Sequence, residues 1–428
     1  MRLGFGAWLL VFAGAALAPA ALAPRPAAAG ADPAGEGLRL LDADGGPVGM
    51  HFTGQAEDGE AAARTAHFEV LVEFEGAGPG DAQALARQME ARFAAYNRVF
   101  RFNPGRLPGP LRVRAFGDAE RYESHVGALM GGGAAPPGAI YLHFAQAEMR
   151  ELVIHLGSEG DALPFQAFIQ FLRAFVPNPP IWMRDGFGVH FATLGFGEDG
   201  EPAHGENLVW LDAVKAMGEL PTPEAIMRAT APGDMENFPG LAWALVSFFL
   251  NSGNDGYLRS LMEGFMVLSD AAAAGENAAA VADRVAMWND MGEMARDFRD
   301  YVGSRVSFSD LVAEGQRAYG SGWKDRAEEA FRRALEIRRD HYAPWYYLGL
   351  IAYNGGDTGA AERYYRIALD LGADEASVLY ALALNAATAG RTGEAISLLR
   401  QSAELAPDRF GERAEALIWQ LDNLRERP

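Results

Sequence analysis

The sequence predicts an α+β domain followed by an all-α superhelix of repeated helical hairpins. Three observations carry that prediction. Between residues 65 and 156, short apolar-rich runs read as strands, and Leu111 to Phe116 alternates strictly with the period of two of a half-buried strand. From Ala162 the pattern turns helical, beginning with a segment that is apolar over most of its circumference. From Phe308 onward the chain resembles itself at a fixed interval of 34 residues.

With 428 residues, 49% of them hydrophobic, the chain can bury the cores of two or three domains. A formal net charge of −20, with no local Lys/Arg cluster to offset it, repels phosphate backbones and excludes a general nucleic-acid surface. Cysteine is absent, so there is no disulfide framework and no cysteine-linked lipid anchor. Stability must come from packing.

Residues 1–31 stand apart. Arg2 precedes an apolar stretch from Leu3 to Ala18, then an Ala/Pro tract with small-residue cleavage options after Ala23, Ala29 or Ala31. This reads as a signal peptide, which predicts a periplasmic or extracellular protein with no membrane span after signal removal. Residues 32–63, rich in Gly, Ala, Asp and Glu, read as a flexible lead-in, with order expected from near Thr65.

Strands are predicted at 67–74, 111–116, 139–144 and 151–156, with an amphipathic helix from Asp81 to Tyr96 between the first two. A Gly/Pro loop spans Gly131 to Gly138. The apolar helix that follows carries Leu163, Phe165, Ala167, Phe168, Ile169, Phe171, Leu172 and Phe175. Asn178 is placed as the N-cap of the next helix, with Pro179 at its first position, running through Trp182 to about Leu194. Further helical segments are predicted at 207–218, 222–229, 240–252, 255–268 and 276–302.

The repeats occupy 308–341, 342–375 and 376–409. Position four is Leu311, Trp345 and Leu379, and position eight is Gly315, Gly349 and Ala383. Position twenty is Ala327, Ala361 and Ala395, position twenty-four is Phe331, Tyr365 and Leu399, and position twenty-seven is Ala334, Ala368 and Ser402. Small residues at eight and twenty let the two helices of a hairpin approach, and large ones at four and twenty-four fill the space beside them. Pro407 stands at position thirty-two of the last repeat, and Gly411 to Arg425 reads as a capping helix. The pattern resembles the tetratricopeptide (TPR) family. In that family the first helices of successive repeats line a concave groove, and the resemblance places positions five, nine, twelve and thirteen there. Here these are Val312, Gln316 and Tyr319; Tyr346, Leu350, Tyr353 and Asn354; Tyr380, Leu384 and Thr388. The tyrosines either contact a bound peptide or pack between repeats. If they contact it, replacing Tyr346 and Tyr353 by Ala should weaken capture while leaving the fold intact.

The helix pair around Phe165 and Asp185 resembles the gluzincin-type, peptidase-MA-like zinc metallopeptidases. That family carries His-Glu-x-x-His on one helix and a Trp-Leu-x-Glu-Gly-type motif opening the next. Here the runs are Phe165-Gln166-Ala167-Phe168-Ile169 and Trp182-Met183-Arg184-Asp185-Gly186. The resemblance implies a metallopeptidase-like domain over 64–305 that has lost its chemistry. Phe165 and Ile169 offer zinc no lone pair, the amide of Gln166 cannot serve as a general base, and Asp185 is a shortened third ligand without partners. Burial of Phe165 and Ile169 is expected to contribute about 1.5–3 kcal/mol each. The eight histidines (51, 67, 125, 143, 155, 190, 204 and 341) include no pair at i and i+4. His190 lies five residues, about 140° of helix, beyond Asp185. A novel site pairing His143 or His155 with Asp185 remains conceivable. Gly131-Gly132-Gly133 lacks the following Lys-Ser/Thr of a phosphate loop, and no Gly-x-Ser-x-Gly elbow occurs.

The sequence therefore predicts a non-catalytic exported scaffold. A degenerate domain over 64–305 is joined to a TPR module over 306–428 that binds a protein or peptide, with no cofactor. The alternatives are a hydrolase using an unrecognised metal or carboxylate site, and a structural part of an envelope assembly.

Overall fold

The computed structural model of the chain describes residues 60–130, 134–197, 202–203 and 205–425. The expected signal peptide, most of the lead-in and Gly131-Gly132-Gly133 lie outside the described residues.

A five-stranded sheet opens the domain. Its strands are β1 (Glu60–Arg64), β2 (Phe68–Glu73), β3 (Leu111–Phe116), β4 (Ala139–Leu142) and β5 (Glu151–His155), in the order β1-β2-β3-β5-β4. The β2/β3 and β3/β5 pairs are parallel, while β1/β2 and β4/β5 are antiparallel, so β1 and β4 are the edges. A parallel pair needs a crossover, and α1 (Pro79–Phe100) supplies it between β2 and β3. β1 corrects the sequence reading, in which order begins near Thr65. Its Glu-Ala-Ala-Ala-Arg run carries no β-branched or aromatic signal. Pairing with β2 imposes the strand, and Ala61 and Ala63 are buried where α1 packs. Helix α2 (Ala119–Met130) is also unanticipated. It covers the opposite face of the sheet, burying Tyr122 and Val126 with Phe116, Leu142 and Val153.

The apolar helix is α3 (Ala162–Phe175), packed between α1, the sheet and α4 (Ile181–Phe191). Rings from α1, α3 and α4 form one aromatic core: Tyr96 lies edge-on to Phe168 at 5.4 Å, and Phe100 meets Phe187 at 4.8 Å. Helix α4 starts three residues later than its predicted N-cap. A residue preceding proline is driven out of the helical region, so Pro179 before Pro180 cannot be helical and the helix opens at Ile181. Asn178 instead ties down α9 (Ala274–Ala286), its carbonyl accepting from Asn277 Nδ2 at 2.9 Å.

The remaining helices are α5 (Leu211–Lys215), α6 (Pro223–Arg228), α7 (Phe238–Asn251), α8 (Asp255–Phe265), α9 and α10 (Met291–Ser304). The segment 276–302, predicted as one helix, is broken. Asp290 starts α10 by accepting from the backbone N–H groups of Gly292 and Glu293 at 2.8 and 2.9 Å. A two-stranded hairpin, β6 (Gly195–Phe196) with β7 (Pro202–Ala203), follows α4.

The C-terminal region is a TPR-like helical-repeat superhelix. Its first helices are α11 (Phe308–Gly320), α13 (Tyr342–Asn354) and α15 (Glu375–Thr388). Its second helices, α12 (Lys324–Ile337), α14 (Thr358–Asp370) and α16 (Thr392–Leu405), begin 34 residues apart. α17 (Glu412–Arg425) follows one turn of π-helix at 407–411 and packs on α16. The alanines at position twenty are fully buried, as are the residues at twenty-four and twenty-seven. At position eight, a Cβ on Gly315 would lie 2.6 Å from the Phe331 ring, and one on Gly349 2.5 Å from the Tyr365 ring. The hairpin bends turn on Gly322, Gly356 and Gly390, all at position fifteen and all with φ between 76° and 83°, where only glycine sits without strain. The first repeat is docked on the α+β domain: Lys215 Nζ donates to Asp310 Oδ2 at 2.6 Å, and the Ser309 N–H donates to Asp212 at 3.2 Å.

Candidate functional site

The positions singled out on α3 and α4 meet in one place. A cleft of about 320 Å³ lies between edge strand β4 and these two helices. Phe165, Gln166, Ile169 and Asp185 all line it, together with Tyr141, His143, Arg173 and Arg184. Phe165 and Ile169 are half-buried, so they gain only part of the burial energy expected from the sequence. Phe165 also fixes the approach of the helices, because a Cβ on Gly188 would lie 2.6 Å from its ring.

Two of these positions, Gln166 and Asp185, are committed to structure. Gln166 Oε1 accepts the backbone N–H of Tyr141 at 3.0 Å, closing the free edge of β4. Asp185 is gripped through both oxygens by its neighbour Arg184, at 2.6 and 3.0 Å. Arg173, the only charged residue of α3, stands one helical turn beyond Ile169. Its Nε is buried without a hydrogen-bond partner, and burial followed by the charge of Arg184 depresses its pKa.

Of the two strand histidines considered with Asp185, His143 joins the cleft and His155 does not. His155 stacks on Tyr122 at 5.6 Å. Burial first, then Arg173 and Arg150, lowers His143 to about 4. The Tyr141 hydroxyl and His143 Nδ1 lie within hydrogen-bond distance, at 3.2 Å. The sign of the linkage follows. Between about 6.5 and about 4 the unfolded chain takes up a proton at this residue that the folded chain refuses, so this contribution to stability is complete above about 6.5 and falls with pH through that window. An NMR titration of the imidazole should give a midpoint near 4, moving upward in Arg173→Met. A wild-type midpoint near 6.5 would show that the ring is neither buried nor faced by the arginines.

The other histidines serve elsewhere. His67 pairs with Glu90 at 2.7 Å, His125 with Glu151 at 2.9 Å, and His341 caps α13 by accepting from the Ala343 N–H. His190 is buried edge-on to Phe187 and Phe191. His51 and His204 lie outside the described residues. Among the described residues no group of three His, Asp or Glu side chains is placed to hold a metal ion.

The second place is the inner face of the repeats. First helices approach one another across repeats, α11 to α13 and α13 to α15, which sets them on the shorter-radius side of the stack. The tyrosines there combine the two roles left open by the sequence. Tyr319 Oη accepts from Asn354 Nδ2 at 2.8 Å, and Tyr353 Oη and Thr388 Oγ1 share a hydrogen bond at 3.3 Å. Both bonds join position twelve of one repeat to position thirteen of the next, so they fasten adjacent hairpins along the inner face. Gln316, Leu350, Leu384 and Tyr380 are half-buried, Asn354 and Thr388 are exposed, and Val312 is buried. Tyr380 stacks on Phe410 at 4.9 Å. Tyr346 packs on Tyr365 at 5.8 Å, and burial raises its hydroxyl to about 12. Removing Tyr346 would therefore also open the hairpin core, which makes it a poor probe of binding alone.

Sequence reasoning missed Arg173, Arg184 and Tyr141. A signal for Arg173 existed: Gln166, Ile169 and Arg173 follow the i, i+3, i+7 spacing of one helix face.

No protein-family profile matches the chain, and no curated protein matches it. Among the solved structures similar to parts of it are these three. A point mutant of the Thermobaculum terrenum O-GlcNAc transferase is 29% identical at TM-score 0.25, over 27% of this chain and 22% of that one. The MamA RS-1 ArsTM double mutant is 15% identical at TM-score 0.24, over 32% and 88%. The TPR domain of P58(IPK) is 16% identical at TM-score 0.26, over 44% and 49%. The matched part spans about a fifth of the first of these chains and about half of the third. The repeats are identified by this chain's own 34-residue register and by the burial of its repeated positions.

Proposed function

We propose that this chain is a non-catalytic, exported binding protein. In this reading an α+β domain of metallopeptidase-like descent, reaching to about residue 305, keeps a cleft without the zinc ligands and general base of that family. It is joined to a TPR module that holds a segment of another polypeptide.

The inner face of the repeats carries the proposal. Its ten predicted positions include no charged residue in a chain of net charge −20, and its tyrosine, asparagine and threonine tips offer both donors and acceptors. Such a face suits an uncharged peptide segment that lays apolar side chains between the rings and offers its backbone to the polar tips. Among the described residues no helix is long and apolar enough to cross a membrane. The absence of catalysis is supported by residue chemistry: Phe165 and Ile169 cannot ligate zinc, the amide of Gln166 is no general base and its Oε1 is taken by the Tyr141 N–H, and both Asp185 oxygens are held by Arg184. The shared cleft of His143 and Asp185 favours a hydrolase as the second reading, opposed by the Arg184 grip on that carboxylate.

Capture from the native envelope onto immobilised full-length chain tests the first reading. Tyr353→Ala with Thr388→Ala should cut recovery of the specific partner at least tenfold, with far-UV circular dichroism retained. Equal recovery by the double variant would remove the inner face from the function. Metal analysis with a peptide-hydrolysis assay tests the second: we expect no stoichiometric zinc and no chelator-sensitive cleavage.

A further inference from the structure

The cleft on α3 and α4 holds a charge that the chain does not balance. Its lining contains Arg173, Arg184 and Asp185, with His143 neutral, so one positive charge is left over. Arg184 is satisfied by Asp185. Arg173 is the surplus cation: the carboxylate that acts on it is Asp185, whose two oxygens are already held by Arg184. A partly buried guanidinium beside a second guanidinium is held against both desolvation and like-charge repulsion. An arrangement of that kind is relieved by an anion, and a guanidinium fork matches the two oxygens of a carboxylate. Ile140, Tyr141, Phe165 and Ile169 supply apolar wall beside the charge. Arg150 adds positive potential from just outside, its own head group donating to the carbonyls of Phe144 and Ala145 at 2.6 and 3.1 Å.

We propose that this cleft binds a carboxylate attached to an apolar group, the carboxylate pairing with Arg173 while the apolar group lies against Phe165 and Ile169. The surplus of one charge favours a monoanion over a phosphate dianion. The volume, at the small end of ligand pockets, suits a molecule or chain end of one or two residues' size. The carboxylate has two possible sources, a small organic acid or the C-terminus of a peptide, and both present the same chemistry. The inference goes beyond the repeat-groove reading. It rests only on the part of that reading in which the cleft holds no metal.

Isothermal titration of the full chain with N-acetyl-phenylalanine, its amide, and inorganic phosphate tests it. The acid should bind at least tenfold more tightly than the amide, and Arg173→Met should reduce acid binding at least tenfold. Equal binding of acid and amide, or binding of phosphate alone, overturns the proposal. The acid-to-amide comparison uses the wild type and stands even if Arg173→Met does not fold. A hexapeptide ending in phenylalanine, free or amidated, then separates the sources: discrimination in the peptide assigns a chain end, and discrimination only in the small acid assigns a free ligand. Tyr353→Ala with Thr388→Ala should leave acid binding unchanged, so failure of the groove reading and failure of this one are read separately. Stoichiometric zinc with chelator-sensitive hydrolysis would overturn the metal-free cleft on its own signal.

Discussion

Phe331→Ala is expected to destabilise the repeat region by about 3–5 kcal/mol, the range for removing a fully buried aromatic side chain. The ring fills the space left by Gly315 on the facing helix and stacks on Tyr347 of the next repeat at 4.9 Å and 13°. Its loss opens a cavity inside one hairpin and withdraws a contact from the junction with the second. Repeats are stable only against their neighbours, so the damage should spread along the stack. Hydrogen exchange by mass spectrometry should show faster exchange in α11 to α14 than in the β2–β3 region. Unchanged exchange in α13 would show that the repeats open independently.

Gly186→Ala is the second large effect. A Cβ at this position would lie 2.4 Å from the carbonyl oxygen of Ala242 and 2.9 Å from the Val246 side chain, so α4 and α7 would have to separate. Alanine favours a helix over glycine by about 1 kcal/mol, but overpacking of this kind typically costs about 1–3 kcal/mol, and here the obstacle is rigid backbone. Urea unfolding followed by circular dichroism should give a lower midpoint. Gly303→Ala on α10, where a Cβ meets nothing within 4 Å, is the control and should be neutral or slightly stabilising. A Gly186→Ala midpoint equal to wild type would mean that α4 and α7 are less closely packed. The result bears on the metallopeptidase resemblance too: Gly186, one of the few sharp letters of that motif, has a packing reason to be glycine whatever the ancestry of the domain.

The degree of legibility followed the physics of each element. The repeats were readable because each hairpin repeats the same packing problem, so the small residues at positions eight and twenty and the glycine at fifteen return in register. β3 was readable because Leu111 to Phe116 alternates strictly. β1 was not, because its alanines take a strand only through pairing with β2 and cover from α1. The inner-face tyrosines were identified by position, but the bonds between Asn354 and Tyr319 and between Thr388 and Tyr353 depend on the angle between neighbouring hairpins.

The sequence by itself determined the repeat architecture and the chemical character of the α3 and α4 positions, since a phenylalanine, an amide and an isoleucine cannot do the work of two histidines and a glutamate wherever they are placed. Only the tertiary structure decided what stands there instead. Arg173 and Arg184 come from different helices and His143 from beyond the edge strand, so their convergence on one cleft has no local signature in the chain. Charge imbalance is a property of groups brought within a few ångströms of one another, and it exists only once the helices and the sheet have packed.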